Sequence, residues 1–385
     1  MATRSLADEV ASLNAIVTSA LSLFSNLQDV LEQINPPPSS RPPTSSTSAP
    51  RVSRQTSPPA VDAVPLAKDC AELIKAHSAK IVLLLTHEPY SPKAAVSVIT
   101  QLMQSPVAVL VTAAQGCVAE DYTLHFRTDF VVYCRLVLTR LIELFSWIPL
   151  DGCLAPASNS PNLIVGKLWS ACDNIIDMAK VGVKGYIAAK IDNWRDTLKD
   201  IRVELKGWSM EEPDGAQDNE EDKDEEDDDG VNSSDEAQDL VDQLMGGPDP
   251  IPADDPHEIR PRLNVAIKRL GLIYLFYQAV VKRRIKTAPT LPPPSRGAAI
   301  DVCKRLEDAL VVLEKLPDHF EAIAHALYDQ DTELADTTMD ICMTETSIAV
   351  QLLKSDWQGD RDDEFSKWLH KFQTQFQECG LSDGS

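Results

Sequence analysis

The stretch SLADEVASLNAIVTSALSLFSNLQDVLEQI (residues 5–34) decides the fold class, because its apolar residues alternate in steps of four and three. That spacing is typical of an amphipathic helix that packs one side along a seam over about four heptads. Pro36, Pro37 and Pro38 follow and predict the end of this helix. The predicted seam consists of Leu6, Val10, Leu13, Val17, Ala20, Phe24, Leu27, Leu31 and Ile34.

Most of the remaining chain has the same helical periodicity and almost no strand pattern. Long helices joined by short loops are typical of up-and-down bundles. The sequence therefore predicts an all-α protein that contains two up-and-down helical bundles. The further predicted helices cover residues 63–87, 92–119, 123–147, 162–181, 184–208, 257–287, 296–315, 317–329, 332–355 and 361–379.

Two polar segments separate the helical regions. Residues 35–60 are rich in proline and serine, and residues 210–256 begin with an acidic run and end in glycines and prolines. Neither composition supports a buried core, so both segments are predicted to be disordered linkers. The predicted organisation is an N-terminal amphipathic helix over 1–34, a helical bundle over 61–209 and a C-terminal bundle over 257–379.

The chain is strongly acidic, with a formal net charge of −23. Between Glu211 and Asp229, thirteen acidic residues accompany a single lysine, which gives a local net charge of −12. An acidic surface repels nucleic-acid phosphates and anionic lipid headgroups. We therefore expect neither direct nucleic-acid binding nor membrane binding, and we expect the partners to be other proteins.

The sequence carries none of the motifs that usually mark an active site. It lacks the patterns of zinc sites, P-loops, kinases and nucleophile elbows, and glycine is scarce at 15 residues. The eight cysteines are widely spaced, which is typical of reduced core thiols in a cytosolic or nuclear protein. We therefore expect no catalytic residue, no cofactor and no metal site, and a function other than that of an enzyme.

Several short patterns have both a structural and a functional interpretation. Gly182 and Gly185 predict a junction between two helices rather than a phosphate-binding loop. The basic cluster Lys282–Lys286 fits favourable charge at a helix C-terminus, with a nuclear import signal as the alternative. The segment Lys268–Leu272 fits a basic-x-leucine docking pattern, but its leucines are predicted to face the core.

Two segments resemble the cyclin-D-binding protein family, whose members are acidic, helix-loop-helix-like proteins that lack a basic region. KLWSACD (residues 167–173) resembles the family's apolar-Trp-x-Ala-Cys segment, and it precedes an acidic insertion, as in the family. LPDHFEAIAHALY (residues 316–328) resembles the family's Pro-x-x-apolar-x-x-apolar-Ala-x-x-apolar-Tyr stretch. The chain departs from the family pattern at residues 329–331, where Asp-Gln-Asp stands in place of prolines. The resemblance covers residues 61–379 in architecture and is specific in sequence at those two segments.

The resemblance implies cyclin or helix-loop-helix partners, a location in nucleus and cytoplasm, and a role as a negative regulator of cell-cycle progression. It also implies bundles similar to those of talin-like adaptors. It supplies no catalytic residue. The matched residues Trp169 and Tyr328 are interpreted as packing residues, because aromatic residues at helical spacing usually fill cores. The alternative function is that of a cytoskeletal or adhesion-linked helical-bundle adaptor.

The N-terminal helix is the candidate partner-binding element, because soluble proteins avoid leaving such an apolar stripe in water. We expect it to dock on its own bundle, since the tether raises its effective concentration; dimerisation and binding to a partner are the alternatives. Ser57 precedes a proline and Ser233 precedes acidic residues, so both linker serines are candidate phosphorylation sites. The candidate partner-binding residues are Leu6, Val10, Leu13, Val17, Phe24, Leu27 and Leu31.

Overall fold

The computed structural model shows an all-α protein, as the hydrophobic periodicity predicts, with no strand among the residues it describes. The predicted linker over 35–60 lies outside the described residues, as does the part of the acidic linker over 212–249. The described residues are 6–34, 62–87, 91–149, 161–211, 250–292, 299–358 and 363–379.

The helix boundaries agree with the predicted ones at most ends. The helices are α1 (Leu6–Ile34), α2 (Ala63–Thr86), α3 (Pro92–Leu102), α4 (Ala108–Gly116), α5 (Ala119–Tyr122), α6 (Leu124–Trp147), α7 (Pro161–Trp208), α8 (Ile259–Val280), α9 (Ala299–Tyr328), α10 (Thr332–Lys354) and α11 (Glu364–Glu378). One π-helical turn, Met103–Val107, joins α3 to α4, and another, Val281–Ile285, extends α8.

The predicted helix over 92–119 is present from Pro92 to Gly116 with a π-helical turn inside it, and its predicted end at residue 119 is wrong. The π-helical turn after α3 contains Pro106, whose missing N–H interrupts the regular ladder of hydrogen bonds. The helix then resumes as α4 and ends at Gly116.

A predicted break at Pro317 is also wrong, because α9 is continuous through this residue. Proline has no N–H to donate to the carbonyl four residues earlier, which is that of Leu313. The hydroxyl of buried Tyr277 in α8 donates a hydrogen bond to this Leu313 carbonyl instead. A tertiary contact thus satisfies the acceptor that the proline leaves open.

The junction predicted at Gly182 is present inside α7. Gly182 has φ +67°, a left-handed conformation that residues with a side chain rarely adopt. The two predicted helices over 162–181 and 184–208 therefore meet at a kink rather than at a loop.

The chain forms two compact units. The first consists of Met1–Ile187 and Pro289–Glu307, and the second consists of Ala188–Ala288 and Asp308–Ser385.

This division differs from the predicted bundles over 61–209 and 257–379, because the end of α7 belongs to the second unit and residues 289–307 belong to the first. Trp208, the last residue of α7, packs edge to face against Tyr328 of α9, with 4.8 Å between the ring centroids. The sequence boundary followed the acidic run, whereas the structural boundary follows such side-chain contacts.

In the first unit, α1 packs against α3 and α6. Phe24 meets Phe145 of α6 edge to face, with 5.1 Å between the ring centroids. At the rim, Gln28 donates a hydrogen bond to the Thr139 hydroxyl at 2.7 Å. The N-terminal helix is therefore docked on its own unit, which is the arrangement that the tether argument favours.

Candidate protein-interaction site

A buried arginine organises the second unit at the end of α8. The side chain of Arg284 is almost fully buried, with 1% of the residue exposed. Its guanidinium donates hydrogen bonds to the carbonyls of Leu353 at 2.8 Å and Lys354 at 2.9 Å. Carbonyls in the last turn of a helix lack an N–H partner within that helix, so Arg284 satisfies the end of α10. It also lies 4.4 Å from the centroid of the Phe365 ring.

Asp363 completes this arrangement at the start of α11. Arg284 donates two hydrogen bonds to the Asp363 carboxylate, at 2.6 Å and 3.0 Å. Asp363 also caps α11 by accepting the Ser366 backbone N–H at 2.9 Å. The Arg284 hydrogen bonds, aided by Ser366, hold the pKa of Asp363 well below its ordinary value. One arginine thus connects the ends of α8, α10 and α11.

A cleft of about 360 Å³ opens beside this arginine, between the end of α8 and the start of α11. Its α8 residues follow the spacing i, i+3, i+4, i+7 and i+8, which places them on one helix face. Four of the eight lining residues are apolar and the others are polar or charged. The cleft is lined by Leu275, Gln278, Ala279, Lys282, Arg283, Glu364, Phe365 and Trp368.

A row of aromatic rings fixes the α11 wall of the cleft. Phe365 stacks on Trp368 with 5.7 Å between centroids, and Trp368 stacks on Phe372 at 5.6 Å. Phe372 in turn stacks on Phe276 of α8 at 5.0 Å. Trp368 is held in place by these contacts and is half-buried. The apolar part of the cleft is therefore already formed before any partner binds.

The charged part of the cleft is basic. Lys282 and Arg283 are both exposed, and no carboxylate among the described residues forms an ion pair with Lys282. Arg283 lies 3.7 Å from the Glu364 carboxylate, and both side chains are largely in water. An exposed pair of this kind contributes little, so a partner carboxylate can replace Glu364. An apolar anchor flanked by carboxylates is the chemistry that this cleft fits.

The basic cluster predicted from the sequence divides into two kinds of residue. Three of its cations are exposed, namely Lys282, Arg283 and Lys286. Arg284 is buried instead, and its guanidinium donates hydrogen bonds to the Asp363 carboxylate and to the end of α10. Arg284 supports a helix C-terminus, as one interpretation expects, but the helix it supports is mainly α10. Its burial removes one of the four cations that a nuclear import signal would present.

The candidate partner-binding residues of α1 lie mostly inside the first unit. Leu13, Val17, Phe24 and Leu31 are buried, Val10 and Leu27 are half-buried, and Leu6 is exposed. Most of this seam is therefore not on the surface while α1 is docked.

The two residues matched to the cyclin-D-binding family differ in their surroundings. Trp169 is 39% exposed, so its interpretation as a packing residue is wrong. Its Nε1 donates to the Ser78 hydroxyl at 3.2 Å, and the Lys75 ammonium lies 5.6 Å from the ring centroid. Tyr328 is half-buried, and its hydroxyl donates to Glu204 at 2.9 Å.

The linear motifs of the sequence do not form accessible peptides in the described residues. In the segment Lys268–Leu272, Leu270 is buried, and the backbone of Gly271 lies against the Arg202 side chain. This segment is thus part of α8 packing. Ser57 and Ser233, the candidate phosphorylation sites, lie outside the described residues.

A buried acid–base contact between Glu307 and His125 stabilises the start of α6. Glu307 accepts the backbone N–H groups of Leu124 at 2.8 Å and His125 at 3.2 Å, and it also contacts His125 Nδ1 at 2.7 Å. Burial alone would raise the pKa of Glu307, but these hydrogen bonds outweigh it and lower the pKa. Glu307 thereby satisfies open N–H groups in the first turn of α6.

The thiols in the described residues are also buried, except that of Cys379, which is half-buried. Burial raises the pKa of Cys70 to about 11 and that of Cys117 to about 12, which keeps both protonated at neutral pH. Among the described residues there is no group of three or more metal-ligating side chains placed to hold a metal ion.

Within the part of the chain that the structure describes, two stretches are long and apolar enough to cross a membrane by length and composition alone, namely Leu6–Ile34 and Pro92–Gly116. Core helices of soluble proteins meet the same criterion.

Comparisons with protein families, curated proteins and solved structures gave no match to this chain, so they bear neither on the cyclin-D-binding resemblance nor on its function.

Proposed function

We propose that this chain is a protein-interaction protein and that the cleft between α8 and α11 holds an acidic segment of its partner. The observation that carries the proposal is the pairing of a preformed apolar lining with two exposed cations, Lys282 and Arg283. Small concave sites with an apolar body and a few placed charges are typical binding sites.

The preferred occupant is a short amphipathic segment that places one large apolar side chain beside Trp368. Carboxylates next to that anchor reach Lys282 and Arg283. The chain as a whole is acidic, but charges farther away than about 8 Å are largely screened at physiological salt. The local cations therefore decide which partner charge is accepted at contact.

The partner class follows from the family resemblance. It is a cyclin or a helix-loop-helix protein, and the expected consequence of binding is negative regulation of cell-cycle progression in nucleus and cytoplasm. The proposal of a cytoskeletal adaptor rests on helical-bundle architecture alone, so it takes second place.

A pair of synthetic peptides tests the cleft. Both are amphipathic helices with the same apolar face; one carries glutamates on its polar face and the other carries lysines. We expect the acidic peptide to bind the full chain. The double variant Lys282→Glu/Arg283→Glu is expected to bind this peptide about tenfold more weakly or worse, a loss of about 1.4 kcal/mol in binding free energy. The variant Leu275→Gln, which removes an exposed apolar lining residue, also weakens binding.

A matched control separates local from overall charge. Lys367→Glu/Lys371→Glu makes the same charge change on exposed positions of α11 that do not line the cleft. This control binds like the parent chain. Equal weakening by both double variants contradicts the proposed site.

The partner class is tested separately by titrating a purified D-type cyclin against the parent chain and the cleft variant. Binding that the cleft variant loses supports the cyclin proposal. If the cyclin does not bind the parent chain, the cyclin proposal is wrong, and the cleft as a binding site is still tested by the peptide pair.

A further inference from the structure

We infer that the outer face of α10 is a docking surface for a basic amphipathic helix contributed by another protein. Leu334, Ile341 and Ile348 are spaced seven residues apart and are 50%, 46% and 46% exposed. This spacing keeps the three side chains on one line along the helix. We refer to these three residues as the α10 stripe.

The α10 stripe is distinct from the face by which α10 joins its unit. Residues one position further along, Ala335, Cys342 and Ala349, are buried at the same seven-residue spacing. The helix therefore carries two parallel apolar lines, one in the core and one in water. From Leu334 to Ile348 the stripe extends over about 21 Å, which is about four helical turns.

The residues between the stripe members favour helix docking. Thr337 and Thr344 are exposed, and the Thr344 hydroxyl donates to the Asp340 carbonyl of its own helix at 2.9 Å. The Thr344 hydroxyl therefore has a hydrogen-bond acceptor within its own helix. A partner helix meets small side chains between the large apolar ones, which is the pattern of knobs and holes in packed helices.

The two edges of the stripe differ in charge. On the α9 side, Glu345 is neutralised by Lys315 at 2.9 Å and by contact with His319 at 2.7 Å. On the other side, Glu333 and Asp340 are exposed, and neither forms an ion pair among the described residues. The open edge is therefore acidic, opposite in sign to the cleft between α8 and α11.

The negative charge of this edge favours a basic partner helix. A helix that carries lysine or arginine beside its apolar seam forms ion pairs with Glu333 and Asp340. A second copy of the chain would pair stripe with stripe and bring these acids close to their equivalents, which is unfavourable. The inference does not rest on the cleft, because the two surfaces share no residue and prefer opposite charges.

The test uses the full chain and two synthetic helices of three heptads, with leucine at the seam positions and either lysine or glutamate at the flanking ones. We expect the lysine helix to bind at least about tenfold more tightly than the glutamate helix. The double variant Ile341→Gln/Ile348→Gln loses at least about tenfold in affinity for the lysine helix. Glu333→Gln/Asp340→Asn weakens that binding and reduces its salt dependence.

The matched control is Val203→Gln/Met210→Gln, which changes two exposed apolar residues of the same unit that belong neither to the stripe nor to the cleft. It binds the lysine helix as the parent does. Failure of the lysine helix to bind, or equal loss in the control, overturns the inference. So does self-association of the parent chain that Ile341→Gln/Ile348→Gln abolishes in sedimentation velocity, because the occupant is then a second copy.

Discussion

The helices α1 and α10 both carry a buried line of apolar residues at seven-residue spacing, but α10 also carries a second line that is not buried. In α1 the line is buried against α3 and α6, with Leu13, Phe24 and Leu31 fully removed from water. In α10 the core side is covered as well, yet Leu334, Ile341 and Ile348 form a second line that stays half in water. Seven-residue spacing thus indicates a packing face, but it does not indicate whether the same chain or another molecule covers that face.

The difference also shows how each helix is held. The seam of α1 is apolar, and Gln28 contacts Thr139 at its rim. The ends of α10 and α11, by contrast, are tied by ionised groups around Arg284 and Asp363. We therefore expect the two regions to respond differently to charge substitutions and to acid.

The largest expected effect separates the covered line from the uncovered one. Leu13→Asp places a carboxylate in a fully buried position and is expected to lower the free energy of unfolding by about 4 kcal/mol or more. Ile341→Asp places the same group on a half-exposed position and changes it by no more than about 1 kcal/mol. Urea denaturation of both variants measures this difference, and similar losses contradict the comparison.

A smaller effect is expected at Arg284. Arg284→Ala leaves the carbonyls of Leu353 and Lys354 and the Asp363 carboxylate without their shared partner, at a cost of about 3 kcal/mol. Arg283→Ala, next to it, removes only an exposed ion pair and costs less than about 1 kcal/mol. Thermal denaturation of the two variants provides the measurement. If Arg283→Ala is as damaging as Arg284→Ala, the assignment of the organising role to Arg284 is wrong.

Acidification sharpens the contrast between α1 and α10. The pKa of Asp363 is lowered mainly by its hydrogen bonds from Arg284; burial raises the pKa of Glu345, but contacts with Lys315 and His319 outweigh burial and lower it. A carboxyl with a lowered folded pKa stabilises above its unfolded value of about 4 and loses that contribution as the pH falls through the folded value.

Between about pH 5 and about pH 2, α10 and α11 should therefore lose protection from hydrogen exchange before α1 does. Mass-spectrometric exchange measurements follow the three helices separately. Glu345→Gln removes one titrating group and makes the loss in α10 less steep. Earlier opening of α1 contradicts the contrast.

The smallest effect concerns the rim of α1. Glu32 accepts a hydrogen bond from Arg135 at 2.8 Å, with both side chains partly exposed. Glu32→Gln is expected to change the free energy of unfolding by less than about 1 kcal/mol. A loss comparable to that of Leu13→Asp in urea denaturation shows that charge, and not the apolar seam, holds α1.

The helical class and most helix ends follow from hydrophobic periodicity, because each helix has to bury one face. The continuous path through Pro317 does not, because it depends on the Tyr277 hydroxyl, which is forty residues away along the chain. The unit boundary inside α7 likewise depends on contacts such as that between Trp208 and Tyr328. Local patterns contain no information on such distant partners.

The candidate site was less predictable. The sequence shows the cations at 282–286 and the aromatic face of α11. It does not show that they lie beside each other, or that Arg284 is the buried residue among these cations. The α10 stripe has a detectable signal in the spacing of Leu334, Ile341 and Ile348. That signal is hidden by the buried line of Ala335, Cys342 and Ala349, which has the same period.

The location of a bound acidic helix tests the account most directly. A peptide with glutamates on its polar face and a photo-crosslinking residue at its apolar anchor is irradiated with the full chain, and the attached residues are identified by mass spectrometry. We predict attachment within residues 275–283 and 364–368, and its loss in Lys282→Glu/Arg283→Glu. Attachment that is spread over the surface, or that persists unchanged in this variant, contradicts the assignment of the cleft as the partner site.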